Sequence, residues 1–301
     1  MTDLLAPVAW ERPGRFMAAE AEYADARWVI AGAPLELTVS YRAGTRWGPA
    51  RIREASYALE TYSPALDRDL EELAVHDAGD VALPLGNLEQ SLARIEAALR
   101  PVVADGKQVL LLGGEHLVTL AAVRAVLDRH PDLVVVQLDA HTDLRDAYLG
   151  EPYSHATVMR RVLDLVGPGR LWQLGPRSGL REEFELARRE ARFFPDVEAG
   201  AAALAAELAG PLQGVPVYLT LDIDVLDPAF APGTGTPEPG GPDFTRVHDA
   251  LLVLARAGAR VVAADIVETA PPLDPSGRTE IVAAKLAREI LLAFGGREVA
   301  T

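Results

Sequence analysis

The run VVVQLDAHTDLRD, from Val134 to Asp146, places Asp139, His141 and Asp143 at every second position after an apolar stretch. Extended backbone sends successive side chains to opposite faces, so residues two apart share a face and these three should converge. Two carboxylates about 4 Å apart repel by roughly 4 kcal/mol at an effective dielectric near 20, which makes such a cluster a seat for a cation. Three further apolar runs end in similar chemistry. KQVLLL is followed by Gly113, Gly114, Glu115 and His116, VYLTL by Asp222 and Asp224, and VVAADIV by Glu268. Each alone has a plain structural explanation: a Gly-Gly turn, a pair of aspartates binding water, a solvated glutamate. Together they gather at least five carboxylates and two imidazoles, more negative charge than one arginine could offset. Two hard divalent ions sharing carboxylates would meet that demand, as in two-metal hydrolases. Ligation by oxygen and nitrogen alone suits Mn or Mg better than zinc, and two Mn2+ per subunit are expected.

The elements that must position these residues are also legible. Short apolar runs rich in β-branched residues, near residues 30, 110, 136, 172, 220 and 264, alternate with segments of helical periodicity such as NLEQSLARIEAALRPVVADG and DFTRVHDALLVLARAG. Strand followed by helix, repeated, predicts an α/β protein: three αβα layers around a central, mainly parallel sheet. Ligands of such sheets bind at the carboxyl ends of the strands, where the candidate residues fall. The segment DPAFAPGTGTPEPGGPDF is too rich in Pro and Gly for a helix or central strand and reads as a long ordered loop.

Composition narrows the function classes. The 301 residues, 49% hydrophobic and 24% charged, fit a globular chain, read as a single domain over 1–301 with an N-terminal arm of about residues 1–25. The absence of cysteine excludes disulfides and thiolate metal sites. A net charge of −15 argues against nucleic acid and mildly favours a small cationic ligand. No membrane span or signal peptide is evident at this stage, and a cytoplasmic location is expected.

The motifs in order resemble those of the ureohydrolases, the arginase and agmatinase superfamily, and are most similar to its agmatinase branch. The resemblance covers nearly the whole chain: GAPLELTVSYRAGTRWGPARIREAS from Gly32, DAGDV from Asp77, LGGEH ending at His116, DAHTD from Asp139, YSHAT from Tyr153, LDIDVLDPAFAPGTGTPEPGG from Leu221, and DIVETAPPLDPSGRT from Asp265. It implies an arginase-like fold, assembly as a homotrimer or homohexamer, and hydrolysis of a guanidino substrate to urea and an amine. His116, Asp139, Asp143 and Asp222 would hold one Mn ion and Asp139, His141, Asp222 and Asp224 the other. In the mechanism read alongside, Asp143 passes a proton to the departing amine, Glu268 pairs with the guanidinium in a fork, and His155 positions substrate or shuttles protons. Arg42, Gly44, Arg46 and Gly48 would shape a loop beside the site and meet a neighbouring subunit.

Three departures from the family pattern stand out. The usual GGDH reads GGEH, with Glu115 preceding the ligand; Glu36 stands in the early block where an Asp is usual; and the VEVNP-like segment reads VETAPP. EPYSHAT lacks the Ser-Gly-Asn segment with which arginases recognise an α-amino acid, so agmatine is expected over arginine, giving putrescine and a place in polyamine and spermidine synthesis. Asp146 and Glu151 are assigned to its distal amine. Guanidinobutyrate, aminopropyl-agmatine and proclavaminate-like compounds remain alternatives, as do a single-zinc amide deacetylase and a non-catalytic member. His76, His130 and His248 fall outside the strand-end pattern and read as helix-end or surface residues.

Overall fold

A computed structural model describes residues 8–295. Its strands are β1 (Trp10–Glu11), β2 (Trp28–Ala33), β3 (Tyr62–Ser63), β4 (Arg68–Asp69), β5 (Val75–Val81), β6 (Gln108–Gly113), β7 (Val134–Leu138), β8 (Leu171–Leu174), β9 (Arg192–Phe194), β10 (Pro216–Asp222) and β11 (Arg260–Val267). The helices are α1 (Gly48–Ser56), α2 (Leu88–Ala104), α3 (Val118–Leu127), α4 (Val158–Val166), α5 (Arg181–Glu190), α6 (Val197–Leu208), α7 (Phe244–Arg256) and α8 (Arg278–Phe294). Nine strands form one sheet in the order β1-β5-β2-β6-β11-β10-β7-β8-β9, with β3 and β4 a separate pair. Every pairing in the large sheet is parallel except that of β1 with β5.

The two-residue period of the strands sorts the core into two layers. Ile30, Leu110, Leu112, Val136, Leu219 and Ile266 pack with α1, α6, α7 and α8 on one face. Val29, Ala31, Val109, Leu111, Val135 and Tyr218 pack with α2, α3, α4 and α5 on the other. Burial on both faces explains why β2, β7 and β10 read as nearly continuous apolar runs, broken only by buried polar residues such as Gln137 and Thr220, and not as alternation. The consequence for function lies in strand order: β6, β11, β10 and β7 are consecutive neighbours, so the chemistry after each converges on the carboxyl edge of the sheet's centre.

The sequence pattern missed β5, whose VHDAGDV carries turn-forming residues. The reason is a buried ion cluster. Arg53 of α1, 1% exposed, donates to both Asp77 oxygens at 2.8 and 3.0 Å, to Asp80 at 2.6 Å and to the Gly79 carbonyl at 3.1 Å. Asp77 Oδ2 also accepts the Phe16 amide at 2.8 Å, tying residues of the expected N-terminal arm to the sheet. Replacing Arg53 by Met strands two carboxylates in the interior and is expected to cost about 3–5 kcal/mol, read as a lowered midpoint in urea unfolding.

Candidate metal centre

Three turns build the site. Strand β7 stops at Leu138, so Asp139, His141 and Asp143 do not share the face of an extended strand as the spacing predicts. They converge because the chain folds back: Arg177 and Ser178 amides hold the Ala140 carbonyl at 2.8 and 3.0 Å, and Asp143 takes a left-handed φ of 52°. Asp222 closes β10 and caps a 3-10 turn, its Oδ1 accepting the Asp224 amide at 2.9 Å. After β6 the chain passes so close to Leu35 that a Cβ on Gly114 would lie 2.0 Å from the Leu35 carbonyl oxygen, which only glycine avoids.

His116 Nδ1 lies 3.1 Å from Asp139 Oδ2, 3.1 Å from Asp143 Oδ2 and 3.3 Å from Asp222 Oδ2. His141 Nδ1 lies 3.0 Å from Asp224 Oδ2 and 3.5 Å from Asp139 Oδ1. Donor atoms of His116, Asp139 and Asp222 fall within 4.8 Å of one another, as do those of Asp139, His141 and Asp224. Asp139 belongs to both sets. Asp222 groups by this spacing only with the first, and its other oxygen, which accepts the Asp224 amide, lies toward the turn that carries the second. Each set contains one buried atom without a hydrogen-bond partner, His116 Nδ1 in the first and Asp224 Oδ2 in the second. Atoms left unpaired at such cost are what a cation would satisfy, so the donor sets fit metal.

Electrostatics point the same way. Burial, then neighbouring carboxylates, pushes Asp222 well above the carboxylate range and Asp143 up to about 7. Asp139, which burial also acts to raise, is held below that range by His116 and His141. Outer contacts fix the ligands: Gln137 donates to Asp139 Oδ2 at 2.6 Å and is itself held by Gln173, while His116 Nε2 meets Thr220 Oγ1 at 3.0 Å. The Thr220 contact takes up Nε2 and leaves Nδ1 to face the carboxylates.

Beside the cluster lies a cavity of about 250 Å³. His116, His141, Asp143, Asp222, Asp224, His155 and Glu268 line it, together with Ser40, Thr142, Arg145, Tyr148, Ser178, Glu183 and Thr236, which the sequence reading did not single out. Glu268, at a φ of 61°, gives Oε1 to the His116 amide at 2.7 Å, and burial first of all pushes its carboxyl up to about 8. The His155 amide donates to Thr38 Oγ1 at 3.0 Å, and its ring contacts Thr38 Oγ1 through Nδ1 at 3.3 Å and Ser40 Oγ through Nε2 at 3.4 Å. Thr38 spends its one hydroxyl proton on Glu115 Oε2 at 2.5 Å, so His155 Nδ1 carries the ring proton. Burial, with nearby positive groups adding, lowers His155 to about 4 and keeps it neutral at physiological pH. Glu115 also accepts the Leu37 and Thr38 amides, and Glu36 accepts the Thr45 amide at 2.7 Å and pairs with Arg46 at 2.8 Å.

Asp146 and Glu151 are not brought to this cavity. Asp146 is exposed and paired with Arg161 at 2.8 Å, while Glu151 lines a separate groove with Leu88, Arg124 and Tyr153. Asp146 turns its side chain out to Arg161 between Arg145 and Tyr148, which both line the cavity, and the spacing of DAHTDLRD did not reveal this. His76, His130 and His248 also lie off the cavity. His76 sits within β5 bonded to the Ala21 carbonyl and His248 pairs with Glu289, so neither is a free surface group. The expected loop is present, with Asp227 capping Ala229 and Gly240 and Arg42 donating to Thr234.

Fold and site together define an α/β protein with a carboxylate and imidazole cation centre at the carboxyl edge of its sheet. The model of the Arginase family matches residues 26–293. An agmatinase of Bacillus anthracis is 46% identical over 282 residues, covering 93% of this chain and 96% of the relative. A guanidinobutyrase of Pseudomonas aeruginosa is 36% identical, covering 92% and 89%. The crystal structure of the agmatine ureohydrolase of Thermoplasma volcanium superposes with a TM-score of 0.83 at 36% identity, covering 93% of this chain and 94% of that one. The chain belongs to the arginase family. Because Glu115 clips the loop that carries Thr38 and Ser40, Glu115→Gln is expected to lower turnover about 10- to 100-fold with metal uptake intact. Parallel loss of metal would place its action on the cation sets.

Proposed function

We propose that the protein hydrolyses agmatine to putrescine and urea. The observation that carries this reading is the pair of cation sets sharing Asp139 beneath Glu268, in an arginase-family chain. His116, Asp139, Asp143 and Asp222 would hold one ion, and Asp139, His141 and Asp224 the other, with Asp222 reaching both. Divalent ions there supply the Lewis acidity that brings the pKa of water toward neutrality, and the oxygen and nitrogen donors favour Mn2+.

The chain's own groups do the rest. Glu268 keeps Oε2 for the guanidinium while the His116 amide holds Oε1, so the substrate's carbon is fixed relative to the sets. Asp143, on the cavity wall, takes a proton from the water that adds to the guanidinium carbon and passes it to the departing nitrogen, so that the C–N bond then breaks to release urea and the amine. His155, neutral with an unprotonated Nε2 that now faces the Ser40 hydroxyl at 3.4 Å, accepts a hydrogen bond from the substrate in its place; this favours positioning over proton shuttling. Support for agmatine comes from the agmatinase relative at 46% identity against 36% for the guanidinobutyrase.

A second reading, a guanidino acid as substrate, is favoured by Arg145, whose side chain lines the cavity and could meet a carboxylate tail. Its charge is offset by Glu183 at 3.5 Å and it lies over Tyr148, so agmatine stands first. One domain acting in the cytoplasm as a trimer or hexamer completes the proposal; among the described residues no helix is long and apolar enough to cross a membrane. Urea release from Mn-loaded protein is expected with agmatine above guanidinobutyrate, aminopropyl-agmatine and arginine, and is expected to vanish in His141→Ala. Release from guanidinobutyrate alone would transfer the assignment to the acid. With no urea from any of them, the enzymatic reading fails.

A further inference from the structure

Arg177, just past β8, has no ligand chemistry, yet both turns of the second cation set converge on it. Its amide holds the Ala140 carbonyl at 2.8 Å, between Asp139 and His141. Its guanidinium donates to the carbonyls of Asp224 at 2.9 Å, Val225 at 3.1 Å and Leu226 at 3.4 Å, which are the turn carrying the third member of that set. The same group reaches across to the Glu238 carbonyl at 2.8 and 3.2 Å and back to Gly175 at 3.3 Å. All six contacts go to main-chain oxygen. Among the described residues no carboxylate lies within ion-pair distance of Arg177, whose charge acts on Asp227 only from further off, so its fork is committed to main-chain oxygen.

A Cβ on Gly241 would lie 2.5 Å from Arg177 Nη2 and 2.7 Å from the Val225 carbonyl, so the 238–241 loop closes over the guanidinium with no space left. The first set has a different support, Thr220 behind His116 Nε2, which Arg177 does not touch.

We propose that Arg177 is a positioning residue that holds the Asp224 turn, and with it the Asp139, His141 and Asp224 set, in register for its cation. The inference rests on the two-cation reading. The planar guanidinium spans carbonyls from three segments at once, while an ammonium reaches at most three acceptors and none in a fixed fork. Outer contacts of this kind change metal affinity by about 10- to 100-fold when removed.

The test is Mn2+ titration of the full chain, followed by the spin-coupled EPR signal of paired ions and by thermal unfolding. Wild-type protein is expected to take two ions. In Arg177→Lys one ion should bind about 10- to 100-fold more weakly, the other much less affected, with the coupled signal lost at limiting metal. Gly241→Ala, which displaces the guanidinium without removing it, should weaken the same ion. Thr220→Val should weaken the other one, with anomalous scattering from Mn-soaked crystals distinguishing the positions. If Arg177→Lys does not fold, Gly241→Ala reads the same quantity. Two ions bound with unchanged affinity in both variants would overturn the role, as would equal weakening of both ions with a lowered unfolding midpoint. A wild-type protein that takes one ion would instead overturn the two-cation reading beneath it.

Discussion

Mutual repulsion among Asp139, Asp143, Asp222 and Asp224 is the constraint on which the rest of the structure turns. All four are buried, at 0–8% exposure, and desolvation of each ion costs several kcal/mol before any repulsion is counted. No hydrophobic packing can compensate locally, because the groups stand at a sheet edge where the apolar layers end. The chain answers with oriented donors: the amides of Ala140, His141 and Asp224 and the side chain of Gln137 all point at carboxylate oxygens of the cluster. These donors hold the oxygens in place but do not supply the positive charge that the raised Asp143 and Asp222 carboxyls call for. That combination is what a cation centre needs and what a purely structural core would avoid.

Order has a backbone cost as well. Asp143 and Glu268 are two of the five described residues other than glycine with a positive φ, and both lie on the cavity. A left-handed conformation costs such residues of order 1–3 kcal/mol, and persists only where neighbours over-determine it. Here they do. Glu268 is pinned by its amide on the Gly114 carbonyl and by Oε1 on the His116 amide, and the Asp143 carbonyl accepts the Arg160 amide at 3.0 Å. The strained residues are those whose side chains must turn back over the strand ends.

Legibility followed the same division. Strands buried on both faces announce themselves as apolar runs, so the parallel sheet and the residues after β6, β7, β10 and β11 could be read directly. Strand β5 could not, since its Asp77, Gly79 and Asp80 become strand-compatible only when Arg53 arrives from α1. Convergence of Asp139, His141 and Asp143 was anticipated for the wrong local reason, an extended strand in place of a bent turn. Asp146 and Glu151 failed because proximity in sequence to a ligand says nothing about which way the chain turns next. Arg177 was open to the same strand-end logic that found the ligands, but an arginine bonding only carbonyls leaves no motif of charge or spacing.

The cavity walls suggest how selectivity arises once charge at the floor is accounted for. Glu183 accepts the Thr142 hydroxyl at 2.9 Å and the Leu144 and Leu180 amides at 3.0 and 2.7 Å, so its carboxylate is spent on holding the loop after β7 to the start of α5. What charge remains to it is shared with Arg145. A tail entering between Arg145, Tyr148 and Ser178 therefore meets a wall with no free carboxylate and a half-offset guanidinium. On the proposed reading, attraction for a cationic substrate would then come from Glu268 and the acidic turns below. Glu183 is therefore a structural acid, although its position on the cavity alone would suggest a binding one.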